Sequence, residues 1–319
     1  MGERGEFVPR RREGRNLASL WAVAAALAAH AAVVPPSPLE SRLIAREIAP
    51  GEPVRVEVRS QAPLASLTGR FLGEVVFFVR SAQGDLWEGW TVVPLDCKDA
   101  RATLTLEGRD PSNRPVRSSV ETAIVPKSFP EQRLEVESKY VNPSKAALAR
   151  IAREQERLGA IYLRRTPAPL ATERFVAPVA GEPTSEFGAR RILNGEPRAP
   201  HPGIDLRAAT GTPVAAAGPG RVALAADLYY SGGTVIVDHG GGLFTTYAHL
   251  SKVEVEEGAT VAPGDRLGLS GATGRVTGPH LHWGARVGRS IFDPRALLDP
   301  RLFPLMPPSA TAAGGPEGG

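Results

Sequence analysis

Gly278-Pro279-His280-Leu281-His282-Trp283 is the stretch around which the rest of the chain is organised. Side chains alternate between the two faces of an extended segment, so His280 and His282 share one face, about 7 Å apart. One imidazole of such a pair can bind a metal ion while the other reaches the water on that ion. The stretch therefore predicts a strand that carries part of a metal site.

Two upstream clusters supply further ligand types: His201-Pro202-Gly203-Ile204-Asp205 and Tyr247-Ala248-His249-Leu250. His201 and Asp205 are an even number of residues apart, so an extended segment presents both on one face. Gly203 between them lets another backbone approach closely. Because a zinc hydrolase typically has three protein ligands and one open position, we expect His201 and Asp205 to form the metal site together with His282.

His249 and His280 are then expected beside the open coordination position, acting on the water and on the developing oxyanion. The sequence has no H-E-x-x-H motif, so no helix glutamate is available as the base. An imidazole, with an ordinary pKa near 6.5, suits that duty.

A purely structural interpretation competes with each of these motifs. A single His-x-His on a strand is more often structural than metal-binding, and a single His-x3-Asp is weak. Three such clusters in order within residues 201–282 favour a metal site, since four of the six histidines lie in them. Of the other two, His239 precedes a glycine turn and is interpreted as structural, and His30 is not interpreted as a ligand.

Five motifs carry a resemblance to a known family: Ser185-Glu186-Phe187-Gly188, His201-Pro202-Gly203-Ile204-Asp205, Asp238-His239-Gly240, Tyr247-Ala248-His249-Leu250 and Gly278-Pro279-His280-Leu281-His282. Together they resemble the lysostaphin-type zinc metallopeptidases of peptidase family M23, enzymes that cut peptidoglycan peptides. The resemblance covers about residues 175–298. It implies that His201, Asp205 and His282 hold one Zn²⁺, and that His249 and His280 activate water and stabilise the tetrahedral intermediate. Trp283 stands where the family usually has Phe.

Composition limits the other function classes. Thirty prolines and 34 glycines among 319 residues favour short strands and turns. The net charge is +4 without a dense Lys/Arg run among aromatics, so a nucleic-acid partner is not expected. Cys97 is the single cysteine, which excludes an intramolecular disulfide. The fold class predicted is mainly β.

Five segments are predicted along the chain. An Arg cluster and the apolar run 17–34 predict that residues 1–34 are a signal peptide or a membrane anchor, placing the protein in the cell envelope, periplasmic or membrane-anchored. Alternating runs over 50–126 predict a β-sandwich. Residues 130–165 form a connecting segment with a helix from Pro143 to Arg164, N-capped by Asn142. A Gly-rich antiparallel β peptidase domain follows at 175–300, and 307–319 are expected to be disordered.

The upstream part, with Phe129-Pro130-Glu131-Gln132-Arg133-Leu134 leading into the helix, resembles the Ig-like N-terminal region of some envelope members of the family. The predicted function is a zinc-dependent endopeptidase acting on peptidoglycan cross-links, with Arg190–Pro200 and Asp227–Gly233 as candidate groove loops.

Two alternatives come from other classes. A non-catalytic M23-like regulator would bind and activate a cell-wall amidase, but such relatives have typically lost zinc ligands, whereas all five positions are present here. A biotinyl or lipoyl carrier needs a lysine at a hairpin tip. From Thr166 onward the only lysine is Lys252, outside such a turn.

Overall fold

The computed structural model describes residues 38–80, 86–166 and 174–302. The predicted leader, residues 1–34, and the predicted disordered tail, 307–319, lie outside these ranges. Within them no helix combines the length and the apolar character that crossing a membrane requires. Strands dominate the described residues, which confirms the mainly β class.

Seven antiparallel strands form the N-terminal sheet. Every second residue of β2 is buried at Val54, Val56 and Val58, which is the alternation that the sequence predicts. The hydrogen-bonded order is β1-β2-β5-β4-β3-β6-β7. Their bounds are β1 Leu39–Ile44, β2 Pro53–Ser60, β3 Ser66–Phe71, β4 Glu74–Arg80, β5 Leu86–Val92, β6 Arg101–Arg109 and β7 Pro115–Ala123.

These strands belong to one continuous sheet, and β1 and β7 at its two ends also approach each other. The hydrogen bonds therefore form one sheet, not a sandwich of two separate sheets. Alternation predicts which face is buried, but a sheet that curls over its own core produces the same pattern as two stacked sheets. The Ig-like character of this region stays a prediction.

The run Val75-Val76-Phe77-Phe78-Val79 in β4 is continuously apolar but only partly buried. Val76 is buried, but Val75 and Phe77 are 39% and 41% exposed. Phe77 instead lies under the guanidinium of Arg165, 4.4 Å from the ring centroid. An exposed aromatic that stacks with an arginine satisfies the same apolar pattern as a core position.

The connecting segment contains β8 Glu131–Leu134, α1 Ser138–Val141 and α2 Lys145–Tyr162. The predicted N-cap of α2, Asn142, is wrong: Ser144 is the N-cap, and its Oγ accepts a hydrogen bond from the Ala147 N–H. Asn142 instead ends α1, where its backbone N–H donates to the Ser138 carbonyl oxygen, so the cap of α2 falls to the serine two residues later.

The predicted peptidase region, residues 174–302, is built on an eight-stranded sheet of order β18-β14-β15-β16-β20-β12-β9, with β21 paired to β20. Every pair in it is antiparallel, as predicted. The strands are β9 Pro183–Ser185, β10 Arg190–Leu193, β11 Glu196–Pro197, β12 Gly203–Leu206, β13 Pro213–Ala215, β14 Gly220–Leu228, β15 Gly232–Asp238, β16 Leu243–Leu250, β17 Lys252–Val253, β18 Thr260–Val261, β19 Arg266–Leu269, β20 Leu281–Val287 and β21 Ser290–Phe292, followed by a 3-10 helix at Pro294–Leu298.

Two small sheets complete the region, β13-β19-β17 and β11-β10-β8. The second one joins the connecting segment to the peptidase region, because β8 pairs in parallel with β10 and sets Gln132 opposite Arg191.

The N-terminal sheet and the peptidase region share a hydrophobic core. Trp90 and Val92 of β5 are buried in the same cluster as Phe292 and Leu302. Arg46 also forms an ion pair with the buried Asp293, at 3.0 Å between Nη2 and Oδ2. The predicted segments 50–126 and 175–300 are therefore packed against each other, and experiments on function belong on the full chain.

Candidate metal centre

Strands β12 and β20 bring two of the predicted ligands together. In their antiparallel register Asp205 is paired with His282, and Gly203 is paired with Gly284. A Cβ added at Gly203 would lie 2.3 Å from the Trp283 carbonyl oxygen, closer than any real Cβ contact. The predicted close backbone approach at Gly203 is therefore confirmed.

Three donor atoms converge at this place. Asp205 Oδ1 lies 3.0 Å from His201 Nε2 and 2.9 Å from His282 Nδ1, and the two imidazole nitrogens are 3.0 Å apart. All three residues are buried. Within the described ranges they are the one group of His, Cys, Asp or Glu side chains whose donor atoms cluster in this way. Such a group could hold a metal ion.

The surroundings favour the protonation states that metal ligands need. Burial lowers the pKa of His201 to about 4, so its imidazole is neutral at pH 7. Burial alone would raise the pKa of Asp205, but its close contacts with His201 and His282 outweigh burial and hold that pKa below its usual range. A neutral imidazole and an ionised carboxylate both have lone pairs free for a metal.

A second layer of contacts holds the donors in place. His201 Nδ1 lies 2.9 Å from the Glu186 carbonyl oxygen and 3.2 Å from Ser185 Oγ. Arg191 Nη2 donates to Asp205 Oδ2 at 3.0 Å, which leaves Oδ1 turned toward the histidines. Contacts of this kind fix the orientation of a ligand.

Gln132 of β8 links these two contacts, because its Oε1 accepts from Ser185 Oγ at 3.1 Å and from Arg191 Nε at 3.3 Å. The sequence points to neither role. Arg191 lies in the candidate groove loop Arg190–Pro200, and Gln132 lies in the stretch that resembles an Ig-like N-terminal region, so neither is predicted to contact a metal ligand. Gln132 and Arg191 are brought together by the parallel pairing of β8 with β10, and nothing in the local sequence indicates that pairing.

His249 and His280 lie beside the three donors. Their ring centroids are 4.8 Å apart, and His280 Nε2 is 3.6 Å from Asp205 Oδ1, farther than the donor atoms of His201 and His282. His249 Nδ1 lies 2.8 Å from the Thr273 carbonyl oxygen, and His280 Nδ1 lies 2.8 Å from that of Gly278. Since a carbonyl only accepts, each Nδ1 carries the proton and each Nε2 is free to accept one.

His249 has an unusual backbone, with φ of +64°. A non-glycine residue rarely adopts this left-handed conformation, and such outliers occur where surrounding contacts impose them. Here the His249 N–H donates to the Ser231 carbonyl oxygen at 2.8 Å. Burial, together with the neighbouring His282 and His280, lowers the pKa of His249 to about 3.

A cavity of about 40 Å³ adjoins these side chains. Leu134 and Val136 of the connecting segment line it, together with His249, His280 and Arg275. The Asn194 side chain holds that segment, since its Oδ1 accepts from the Val136 N–H and its Nδ2 donates to the Val136 carbonyl, both at 2.9 Å. This volume suits a few water molecules, and the segment that carries Leu134 and Val136 forms part of its wall.

His239 lies apart from the centre, in agreement with its structural interpretation. Its Nδ1 is 2.6 Å from the Pro219 carbonyl oxygen and its Nε2 is 2.7 Å from Thr245 Oγ1. Both ring nitrogens are thus engaged, and burial lowers the pKa of the imidazole to about 4.

Comparison with known proteins gives consistent matches. Residues 199–294 match the model of peptidase family M23. The peptidoglycan DD-endopeptidase ShyA of Vibrio cholerae serotype O1 is 46% identical over 101 residues, which are 31% of this chain and 24% of that protein. The DD-carboxypeptidase/endopeptidase Mpg of Neisseria meningitidis serogroup B is 40% identical over 100 residues, 31% of this chain and 23% of that protein.

The chain spans only 20% to 28% of the length of the first four named relatives. A solved structure from Pseudomonas aeruginosa, described as a peptidase M23, matches over a larger part. It is 30% identical, with a TM-score of 0.60, over 79% of this chain and 95% of that one. With the matched segment and the five motifs in place, the chain belongs to peptidase family M23.

Proposed function

We propose that the chain is a zinc-dependent endopeptidase that hydrolyses peptide cross-links of peptidoglycan in the cell envelope. One observation carries the proposal: His201, Asp205 and His282 converge to 3.0 Å or less, with the imidazoles of His249 and His280 beside them. Relatives named as peptidoglycan DD-endopeptidases support the choice of substrate. Residues 1–34 are proposed to direct export or to anchor the chain in the membrane.

The donor set fits zinc. Two imidazoles and one carboxylate, with contacts behind them that fix their orientation, are the nitrogen and oxygen ligands that a catalytic zinc site uses. His201, Asp205 and His282 would hold the ion. When bound, zinc supplies a Lewis acid that acidifies water and polarises a carbonyl group.

His249 and His280 are proposed to move protons. The Nδ1 atoms are fixed by the carbonyl groups of Thr273 and Gly278, so in the neutral form of each imidazole the proton lies on Nδ1 and Nε2 has a free lone pair. That nitrogen can accept a proton from an attacking water. The imidazolium that results can then donate to the oxyanion or to the leaving amine.

The regulator alternative is less well supported. A protein that only binds an amidase has no need for two imidazoles and a carboxylate held in a buried cluster with oriented partners. The complete set of five residues, with the contacts of Ser185 and Arg191 behind it, favours catalysis.

Digestion of purified, cross-linked muropeptides by the zinc-loaded full chain tests the proposal. We expect dimers to be converted to monomers, and this activity to be lost after chelation and in His280→Ala. Dimers that stay intact would contradict it. Cleavage of a Gly-Gly pentapeptide in place of dimers would replace cross-link specificity with cross-bridge specificity.

A further inference from the structure

We infer that Arg275 binds a carboxylate of the substrate close to the scissile bond, so that the enzyme selects peptides with a free acid at that point. This inference rests on the proposed function, and it adds a specificity-determining residue to the site. Three features of the molecule carry it: the position of Arg275, its fixed orientation and its unneutralised charge.

Arg275 lines the same cavity as His249, His280 and Asp205. It is half-buried and held from two sides. Its guanidinium stacks over the ring of Tyr230, 4.6 Å from the centroid, and its backbone N–H donates to the Tyr230 carbonyl oxygen at 2.8 Å. The backbone bond fixes the loop independently of the side chain, so a substitution at Arg275 leaves that anchor intact.

The charge of Arg275 is not neutralised. Among residues 38–80, 86–166 and 174–302, no carboxylate forms an ion pair with its guanidinium. Its charged neighbours are two other arginines, Arg191 and Arg198, and burial together with their repulsion lowers its pKa. Arg191 is paired with Asp205, and Arg198 with Glu196 at 2.9 Å. Arg275 is therefore the cation of the three that remains available for an external anion.

A carboxylate is the anion that fits. The planar guanidinium presents parallel N–H donors that match both oxygens of a carboxylate, and stacking on an aromatic ring orients this fork in advance. Because the cavity also contains the imidazoles proposed to transfer protons, the bound carboxylate belongs to a residue next to the scissile amide. It can be a main-chain α-carboxylate or a side-chain carboxylate.

The test compares one cross-linked peptide in three forms: both acids free, the C-terminal α-carboxylate amidated, and the side-chain carboxylate beside the scissile amide amidated. Wild type, Arg275→Gln, Arg275→Lys and Arg286→Gln are assayed as zinc-loaded full chains. Arg286 is the matched control, because its guanidinium also stacks on a tyrosine, 4.0 Å from the Tyr162 centroid, but it does not line the cavity.

We expect wild type to prefer the free acid over one amidated form by roughly 10- to 100-fold in kcat/KM, the size of a lost hydrogen bond to a charged group. The amidated form that is cut slowly identifies which carboxylate is bound. Arg275→Gln should remove this preference by losing rate only on the free acid. Arg275→Lys should keep part of it, and Arg286→Gln should behave as wild type.

No preference in wild type, or an equal loss on all three forms in Arg275→Gln, would overturn the inference and leave the proposed function standing. If wild type cuts none of the forms, the proposed function fails. Binding of the free-acid peptide, measured by calorimetry in the same proteins, then decides the role of Arg275. Weaker binding in Arg275→Gln than in Arg286→Gln would support it, and equal binding would overturn it.

Discussion

Replacing Gly203 with alanine should weaken zinc binding. An added Cβ would lie 2.3 Å from the Trp283 carbonyl oxygen and 2.8 Å from the Gly284 Cα. Both are backbone atoms of β20, so no flexible side chain can move aside. Strand β12 has to move away from β20, and this separates Asp205 from His282, which are paired in the same register.

The size of the effect follows from that distance. An ordinary Cβ contact needs about 3.4 Å or more, so the strands must separate by roughly 1 Å, whereas zinc ligands tolerate about 0.2 Å. We expect zinc affinity to fall at least as much as when an orienting partner is lost, about 10- to 100-fold. The overpacking should also reduce the free energy of unfolding by about 1–3 kcal/mol.

Competition with a chromophoric chelator measures the affinity, and chemical denaturation of the same samples measures stability. Gly278→Ala is the matched control: it is another glycine beside the site, but an added Cβ there has no atom within 4 Å. Equal zinc affinity in wild type, Gly203→Ala and Gly278→Ala would refute the argument that this close approach sets the ligand geometry.

Three further predictions concern the same site. His249→Ala and His280→Ala should keep zinc but lose turnover by roughly 10²- to 10⁴-fold, as for positioned acid–base groups; metal loss in step with activity, seen by elemental analysis, would make them ligands. Burial lowers the pKa of three histidines to about 3 or 4 in the folded chain, so folding disfavours their protonation. The free energy of unfolding of the metal-free protein should therefore fall as the pH drops from about 6.5 toward 4. Denaturation curves that do not change over this pH range would contradict this prediction. Asn194→Ala removes two hydrogen bonds to Val136, each worth about 1 kcal/mol, so the segment that carries Val136 should open more readily and kcat/KM should rise by up to about 30-fold. Asn113→Ala, another asparagine with positive φ, controls for backbone strain, and an equal rate in both variants would show that Val136 does not limit access.

Sequence reasoning predicted the parts of the site that depend on local spacing. The even separations within His201–Asp205 and His280–His282 indicate shared faces of extended segments. In the structure the imidazoles of His201, His280 and His282 all lie within 3.6 Å of Asp205 Oδ1. The glycine at position 203 likewise signals its close contact without any knowledge of the partner strand.

Contacts made through tertiary packing could not be predicted in this way. Gln132 reaches the outer side of the ligands because β8 pairs with a strand about 60 residues later. Trp90 packs in the core of the peptidase region and not in the core of its own sheet. Alternation indicates that a side chain is buried, but it does not indicate which part of the protein the side chain packs against. An apolar run likewise does not indicate which of its members are exposed, as Phe77 is.

The most direct test of the central claim is the metal content of the purified full chain and of Asp205→Ala. We expect about one zinc per chain in wild type, since three ligands and one open position describe a single catalytic site. Asp205→Ala should contain much less zinc, while Asp227→Ala, at an exposed aspartate away from the three donors, should match wild type. Full zinc occupancy in a folded Asp205→Ala protein would contradict the assignment of His201, Asp205 and His282 as the ligands.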